Sequence, residues 1–278
     1  MEKLANICVN LKMVSHSILF EVKLQKKKFI IFSIITIIFF FLNSIVPYVF
    51  MSGLTLPYSQ IDLYQSGIVF FMMILFLTTG FFFSGIICTE YKKKTGLTLL
   101  PLIDKHNLII GKYIANYILV IGIAAIQYFL MALLTFYFYA EPIPPSLFLS
   151  FGYLALYILA LASVTTFLSS FMPSASSVII IFMALILFGF SIIDIFVKPT
   201  NIEPLYSLTY LYNIISKIIY PEFSTMERYF EYDEYTPVNN ITRRVWLFPS
   251  AEGALIVLTL YAIVFFLLGY LLFKRRQL

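Results

Sequence analysis

Six stretches of this 278-residue chain run for about twenty residues or more with almost no Lys, Arg, Asp or Glu. They are Ile30–Phe50, Gly67–Cys88, Tyr113–Tyr139, Leu147–Met172, Ser177–Val197 and Ala254–Phe273, and Asp194 is the one charge among them. At about 1.5 Å of rise per residue, about twenty helical residues cover roughly 30 Å, the hydrocarbon thickness of a bilayer. Inside lipid every backbone N–H and C=O must be paired within its own segment, so each run reads as a spanning α-helix. Composition agrees, with 61% hydrophobic and 12% charged residues. A soluble domain is nearer half apolar and about a quarter charged. The chain is therefore expected to be an all-α polytopic membrane protein with six transmembrane helices.

Turn signals fall between the runs. Pro57 follows the first, Pro142, Pro144 and Pro145 follow the third, and Pro173-Ser174 separates the fourth from the fifth. The last of these turns is short, which predicts an antiparallel hairpin of spans four and five. The first apolar run begins near Phe29, is too long for a signal-peptide core and has no small-residue cleavage site after it, so a secretory signal is not expected.

Charge supplies the polarity. Lys23 and Lys26–Lys28 precede span one, Lys92–Lys94, Lys105 and Lys112 lie between spans two and three, and Lys274–Arg276 close the chain. An even number of spans places all of these on one face, and the basic face is expected to be cytoplasmic. The net charge of +5 then reads as a topology signal rather than a nucleic-acid patch. The expected location is the plasma membrane, multi-pass, with both termini inside.

Three segments outside the spans carry information. In residues 1–28, Leu4, Ile7, Leu11, Val14, Ile18 and Val22 recur at helical spacing among Lys and Asn, which predicts an amphipathic helix on the inner surface. The loop 89–112 starts polar and basic, then turns leucine-rich, as a partner-docking element would, or equally a short helix packed on its own bundle or lying in the headgroup layer. The outer segment 198–249 carries Leu205, Leu208, Leu211, Ile215 and Ile218 at helix spacing, predicting an interfacial or re-entrant helix. An acidic, Tyr-rich stretch from Glu222 to Glu234 follows and reads as a solvated loop, with an aromatic-rich interface or lid as the alternative. Asn240-Ile241-Thr242 matches a glycosylation acceptor on that side. The whole chain is read as one membrane domain: 1–28, spans one to five over 29–197, the outer segment 198–249, and span six with its basic tail over 250–278.

Catalytic patterns are missing. The chain has no G-x-x-x-x-G-K-[ST], H-E-x-x-H or G-x-S-x-G, and its two cysteines, Cys8 and Cys88, and two histidines, His16 and His106, have no ligand spacing. No catalytic site, metal or cofactor is expected in this chain. The near-absence of intramembrane charge also disfavours an ion-coupled pathway. If the chain moves something, the energy comes from a partner.

On these features the chain resembles the type-2, export-type permeases of ABC transporters. The resemblance lies in the layout over the whole chain. Its most specific stretch is Glu90-Tyr91-Lys92-Lys93-Lys94-Thr95-Gly96, then Leu99-Leu100-Pro101, then Gly111-Lys112. The leucine-rich part is shorter than is usual there, and Lys105 stands where Arg is common. Ser17–Lys23 also resembles the family's entry to span one. The resemblance implies that Glu90, Thr95, Gly96, Leu99, Leu100, Pro101, Lys105, Gly111 and Lys112 form a coupling helix for a separate ATP-binding subunit, which would hold the ATP and Mg. It implies a pair of permease subunits, identical or different, with spans two and five lining a pathway. The pathway candidates are then Phe71, Phe81, Phe82 and Phe83 with Phe182, Phe188 and Phe190, an aromatic wall suited to a hydrophobic or lipid-like substrate. The segment Leu205–Tyr220 would be its outer gate. The alternative is a membrane scaffold or assembly factor that recruits a cytoplasmic partner through 89–112 without transport.

Overall fold

The computed structural model describes residues 2–44, 46, 59–93, 105–197, 201–235 and 240–275. Six helices long and apolar enough to span a membrane are present among them, as expected for a polytopic all-α protein. The chain starts with α1 (Glu2–Ser44), followed by α2 (Gln60–Phe83), a short α3 (Cys88–Lys93), α4 (Lys105–Tyr139) and α5 (Ser146–Phe171). The fifth span is α6 (Ala175–Ala184), a π-helical turn at Leu185–Gly189 and α7 (Phe190–Val197). Two one-turn helices, α8 (Leu208–Leu211) and α9 (Asn213–Lys217), then a hairpin of β1 (Tyr229–Tyr235) and β2 (Asn240–Trp246), lead to α10 (Ala251–Arg275). One end of the bundle carries α3, the start of α4 and the end of α10, and is called the loop end below. The other carries α8, α9 and the hairpin, and is called the cap end.

The expected boundary between a surface helix and span one is absent. A single helix of 43 residues runs from Glu2 to Ser44, about 65 Å at helical rise. The cause is local: no Gly or Pro occurs before Pro47, so nothing breaks the ladder where the lysines give way to isoleucines. The span candidate extends back to Met13, and residues 47–50, the expected end of span one, lie outside the described residues. Span two starts earlier than its apolar run. Ser59 caps α2 by accepting a hydrogen bond from the Asp62 N–H at 3.2 Å, an N-terminal signature that lies before the hydrophobic stretch. Spans four and five form the expected hairpin, with Ser174 capping α6 through the Ser177 N–H at 3.2 Å.

Small residues set the closest helix contacts. α10 packs along α5, and a Cβ on Gly269 would stand 3.1 Å from the Phe167 backbone, so a larger residue there would push the helices apart. Outward faces stay apolar and exposed, as at Ile31, Ile34, Ile38, Leu260 and Leu267. Such faces suit lipid rather than water.

The cap is built into the bundle. Leu208, Leu211, Ile214, Ile215 and Ile219 are fully buried. Tyr212 donates to the Ile68 carbonyl at 2.6 Å and Tyr157 donates to the Leu208 carbonyl at 2.9 Å. Buried phenols need such acceptors. Ile68 is eight residues into α2, so the cap reaches about 12 Å below the start of that helix. Of the two sequence expectations for this segment, the arrangement matches the re-entrant one. Its helix is split in two at Tyr212 rather than continuous.

The acidic Tyr-rich stretch is not the solvated loop expected. Tyr229–Tyr235 pairs antiparallel with Asn240–Trp246, with Tyr229 opposite Trp246 and Tyr235 opposite Asn240. Aromatic and charged residues in this run suit a strand once a partner exists. Glu231 pairs with Arg244 at 2.8 Å, and Tyr229 and Trp246 rings lie 4.9 Å apart. Asn201, at φ 60°, braces β2: its side-chain oxygen accepts from the Arg244 N–H at 2.9 Å and its carbonyl from Trp246 Nε1 at 3.2 Å. Asparagine tolerates that left-handed conformation better than most residues.

Candidate functional site

The loop end gathers the functional candidates that the structure describes. Span two does not run straight into the loop. α2 ends at Phe83, the chain turns through Ser84–Ile87, and α3 restarts at Cys88. A break inside the bundle frees backbone groups that must find partners. Ser169 of α5 provides them. Its hydroxyl accepts from the Ile87 and Cys88 N–H groups at 3.2 and 3.1 Å and donates to the Ser84 carbonyl at 2.7 Å. Glycine at position 85 and the serine at the start of the turn favour a local stop, but the partner eighty-odd residues away has no sequence signature. The loop therefore has its first helical turn earlier than the expected start at Thr89, and Glu90 sits on that turn.

Glu90 is bonded to Lys112 of α4. Both side chains are largely buried, at 7% and 12% exposure. The pair ties the two roots of the loop together across the undescribed 94–104. Next to it, Gly111 faces α1. A Cβ at Gly111 would lie 2.5 Å from Ser17 Oγ and 2.6 Å from Ser17 Cβ, so glycine is what lets α1 and α4 approach here. Ser17 itself is buried, and α1 and α4 are packed together. Three segments distant in sequence (α1 near Ser17, α3 at Glu90, α4 at Gly111-Lys112) thus form one joined unit, with Ser169 of α5 fixing the angle of α3.

The remaining loop candidates are placed as follows. Thr95, Gly96, Leu99, Leu100 and Pro101 lie outside the described residues, and with them the expected coupling helix proper. Lys105 opens α4. The proposed pathway phenylalanines do not share one surface. Phe71, Phe83 and Phe182 are fully buried in helix packing and Phe190 nearly so. Phe83 packs edge-on against Tyr113 at 5.3 Å. Phe82 is buried but lines a cavity beside α1. Phe81 and Phe188 point outward, at 41% and 66% exposure. Asn240 is the first residue of β2, opposite Tyr235.

Sequence reading gave Ser169 no role, and it placed Ser17 and Glu21 only within the Ser17–Lys23 stretch without assigning either a contact. Glu21, also on α1, is 4% exposed. Its carboxylate accepts from Gln25 Nε2 at 2.8 Å on one oxygen, while Oε2 has no hydrogen-bond partner. A carboxylate flanked by Phe20 and Val22 in an amphipathic stretch was the available signal. Among the described residues no group of His, Cys, Asp and Glu could hold a metal ion.

Compared with known proteins, residues 51–271 match the family model described as ABC-2 family transporter protein. No curated protein matches the chain.

Proposed function

The chain belongs to the ABC-2 family of transporter proteins, and on that footing we propose that it is the membrane-spanning permease subunit of an ATP-driven exporter. In this reading it pairs with a second permease and receives force from a separate ATP-binding subunit through the loop 89–112. The loop end faces the cytoplasm, as the clustering of Lys23, Lys26–Lys28, Lys112, Lys274 and Arg275 there favours. Movement of the docked ATPase would be carried into the bundle at the loop roots.

The observation that carries the proposal is the Glu90–Lys112 pair set against the Ser17–Gly111 contact. A flexible tether would absorb a push, whereas a buried ion pair between both roots, packed on α1, transmits it. Moving α3 and α4 then moves α1 as well, which is the rigid-body rocking that alternating access needs. The cargo is proposed to be hydrophobic or lipid-like, because the spans hold almost no charge.

The test is co-purification of the full chain with an ATP-binding subunit, followed by ATP-dependent flux in reconstituted vesicles. The permease reading expects both. Recruitment of a partner with no flux would favour a scaffold instead. Within the complex, Glu90→Lys should uncouple ATP hydrolysis from transport while membrane insertion survives, and Glu90→Lys with Lys112→Glu should recover part of it. Unchanged coupling in Glu90→Lys would rule out the loop roots as the transmission point.

A further inference from the structure

The six apolar runs of this chain hold one charge, Asp194, and it lines a cavity of about 450 Å³ at the cap end. The cavity lies where α7, the segment leading into α8 and α9, and β2 come together. Tyr206, Tyr210, Arg244 and Trp246 share its wall. Asp194 Oδ1 accepts from the Tyr206 hydroxyl at 2.8 Å. Its Oδ2 has no partner among the described residues and is not enclosed. Arg244 donates from Nε to Glu231 at 2.8 Å, and its guanidinium lies over the Tyr229 ring, 4.9 Å from the centroid. Its two terminal nitrogens have no acceptor among the described residues.

An acid and a base thus line one cavity without pairing with each other. The exposed Arg244–Glu231 pair is of a weak kind, and it leaves a guanidinium edge whose N–H donors match phosphate oxygens. Asp194 offers an open carboxylate oxygen, with aromatic rings in the same wall. A carboxylate among aromatic rings suits an ammonium group. The complementary ligand therefore carries one negative and one positive group. The surroundings indicate where it is met. Ile195 and Ile202 line the cavity and are 68% and 62% exposed, and Ile192 and Phe196 continue the outward apolar face of α7. Such a face meets hydrocarbon, so the cavity sits at the edge of the bilayer, where head groups lie.

We propose that this cavity binds a phosphate ester of an amino alcohol, the zwitterionic group that forms the head of phosphatidylcholine. The phosphate meets the terminal nitrogens of Arg244, and the ammonium meets Asp194 Oδ2. The volume falls in the range of small-molecule sites, so it holds the head while acyl chains leave past Ile195 along α7. A lipid with a phosphate but no ammonium gives Asp194 nothing to pair with and binds less well. Occupancy requires neither transport nor an ATPase, and it goes beyond the permease reading without resting on it.

Trp246 is the chain's only tryptophan and lines the cavity, so its fluorescence reports on this site. The experiment uses the full chain in dodecyl maltoside micelles, a detergent with neither phosphate nor amine. Phosphatidylcholine or phosphatidylglycerol, brominated on an acyl chain near the head, is titrated in, and quenching of Trp246 is read. Phosphatidylcholine should reach half-quenching at an about fivefold lower mole fraction, the span of one cation–aromatic or ion-pair contact. Asp194→Asn, which keeps the side-chain size and an acceptor for Tyr206, should remove that preference. Arg244→Gln, at an exposed side chain, should raise the mole fraction needed for both lipids. In a second arm, water-soluble glycerophosphocholine is added without lipid. A preference between the brominated lipids identifies the bilayer as the source. A shift of Trp246 emission by glycerophosphocholine without that preference, lost in Asp194→Asn, supports the site with a water-borne ligand. Equal quenching by the two lipids with no response to glycerophosphocholine overturns the proposal, as does a preference or response that Asp194→Asn leaves intact. Where Asp194→Asn does not fold, unchanged binding in Arg244→Gln overturns it. Coupling through Glu90 and Lys112 is untouched by failure here, because flux and ATPase stimulation are read separately.

Discussion

Ser17 of α1 stands so close to Gly111 of α4 that a methyl group on the glycine would lie 2.6 Å from the serine Cβ. That distance is well inside van der Waals contact, and the obstructing atom is fixed to the backbone rather than at the end of a flexible chain.

Gly111→Ala should therefore destabilise the protein. A helical Gly→Ala exchange gains about 1 kcal/mol in propensity, but forcing a methyl into a filled contact costs about 1–3 kcal/mol. The second effect wins because Ser17 Cβ cannot swing away without moving α1. A lower thermal midpoint for Gly111→Ala, largely regained with Ser17→Gly, is the expected pattern. A midpoint above that of the unaltered protein would show that α1 and α4 are not in contact here.

Glu90 and Lys112 should be strongly coupled energetically. Removing one partner of a buried pair leaves the other uncompensated, at about 3–5 kcal/mol. Glu90→Gln and Lys112→Met should each be markedly less stable, and the double variant less damaged than the sum of the two. A double-mutant cycle on unfolding free energies gives this directly. Additive effects would place the two side chains apart.

Ser169→Ala should loosen the turn between α2 and α3. It removes the hydroxyl that accepts from Ile87 and Cys88 and donates to Ser84, at about 1–3 kcal/mol for such a buried group. Hydrogen exchange should accelerate at residues 84–90 with little change in α10. Unaltered protection there would mean that the break is held by other means.

At the cap end, the Tyr206 hydroxyl donates to Asp194 Oδ1 at 2.8 Å. Its pKa is pushed up to about 12, first by burial and then by the bond to Asp194 and the negative charge on it. A phenol whose folded pKa is raised keeps its proton when the unfolded chain has lost it. The stabilisation is full below the ordinary tyrosine value of 10.0 and is lost as pH rises through about 12. Tyrosinate absorbance of the folded protein should show a step near 12 that Tyr206→Phe removes. A step for this residue at its ordinary value would mean that the bond to Asp194 does not form.

Much of the architecture is legible in the residues themselves. The positions of the six spans follow from apolar runs that alone can satisfy a bilayer, and the turn at Pro173-Ser174 follows from local chemistry. The uninterrupted α1 could also have been read, since no Gly or Pro separates Glu2 from Ser44. The hairpin was less accessible. Tyr229–Tyr235 is a strand because Asn240–Trp246 lies beside it, and such cross-strand pairing is not contained in the propensity of either segment alone.

What the sequence determined by itself is that this chain lives in a membrane and crosses it as six helices, because hydrocarbon admits no other use of such runs. Its family and the basic loop between spans two and three were equally readable. Only the tertiary structure decided which side chains meet. Whether Glu90 finds Lys112, Ser169 finds the turn at Ser84, or Tyr212 finds Ile68 depends on how each helix is rotated and how deeply it sits. Close packing at residues such as Gly111 and Gly269 sets those rotations, and no single segment encodes them.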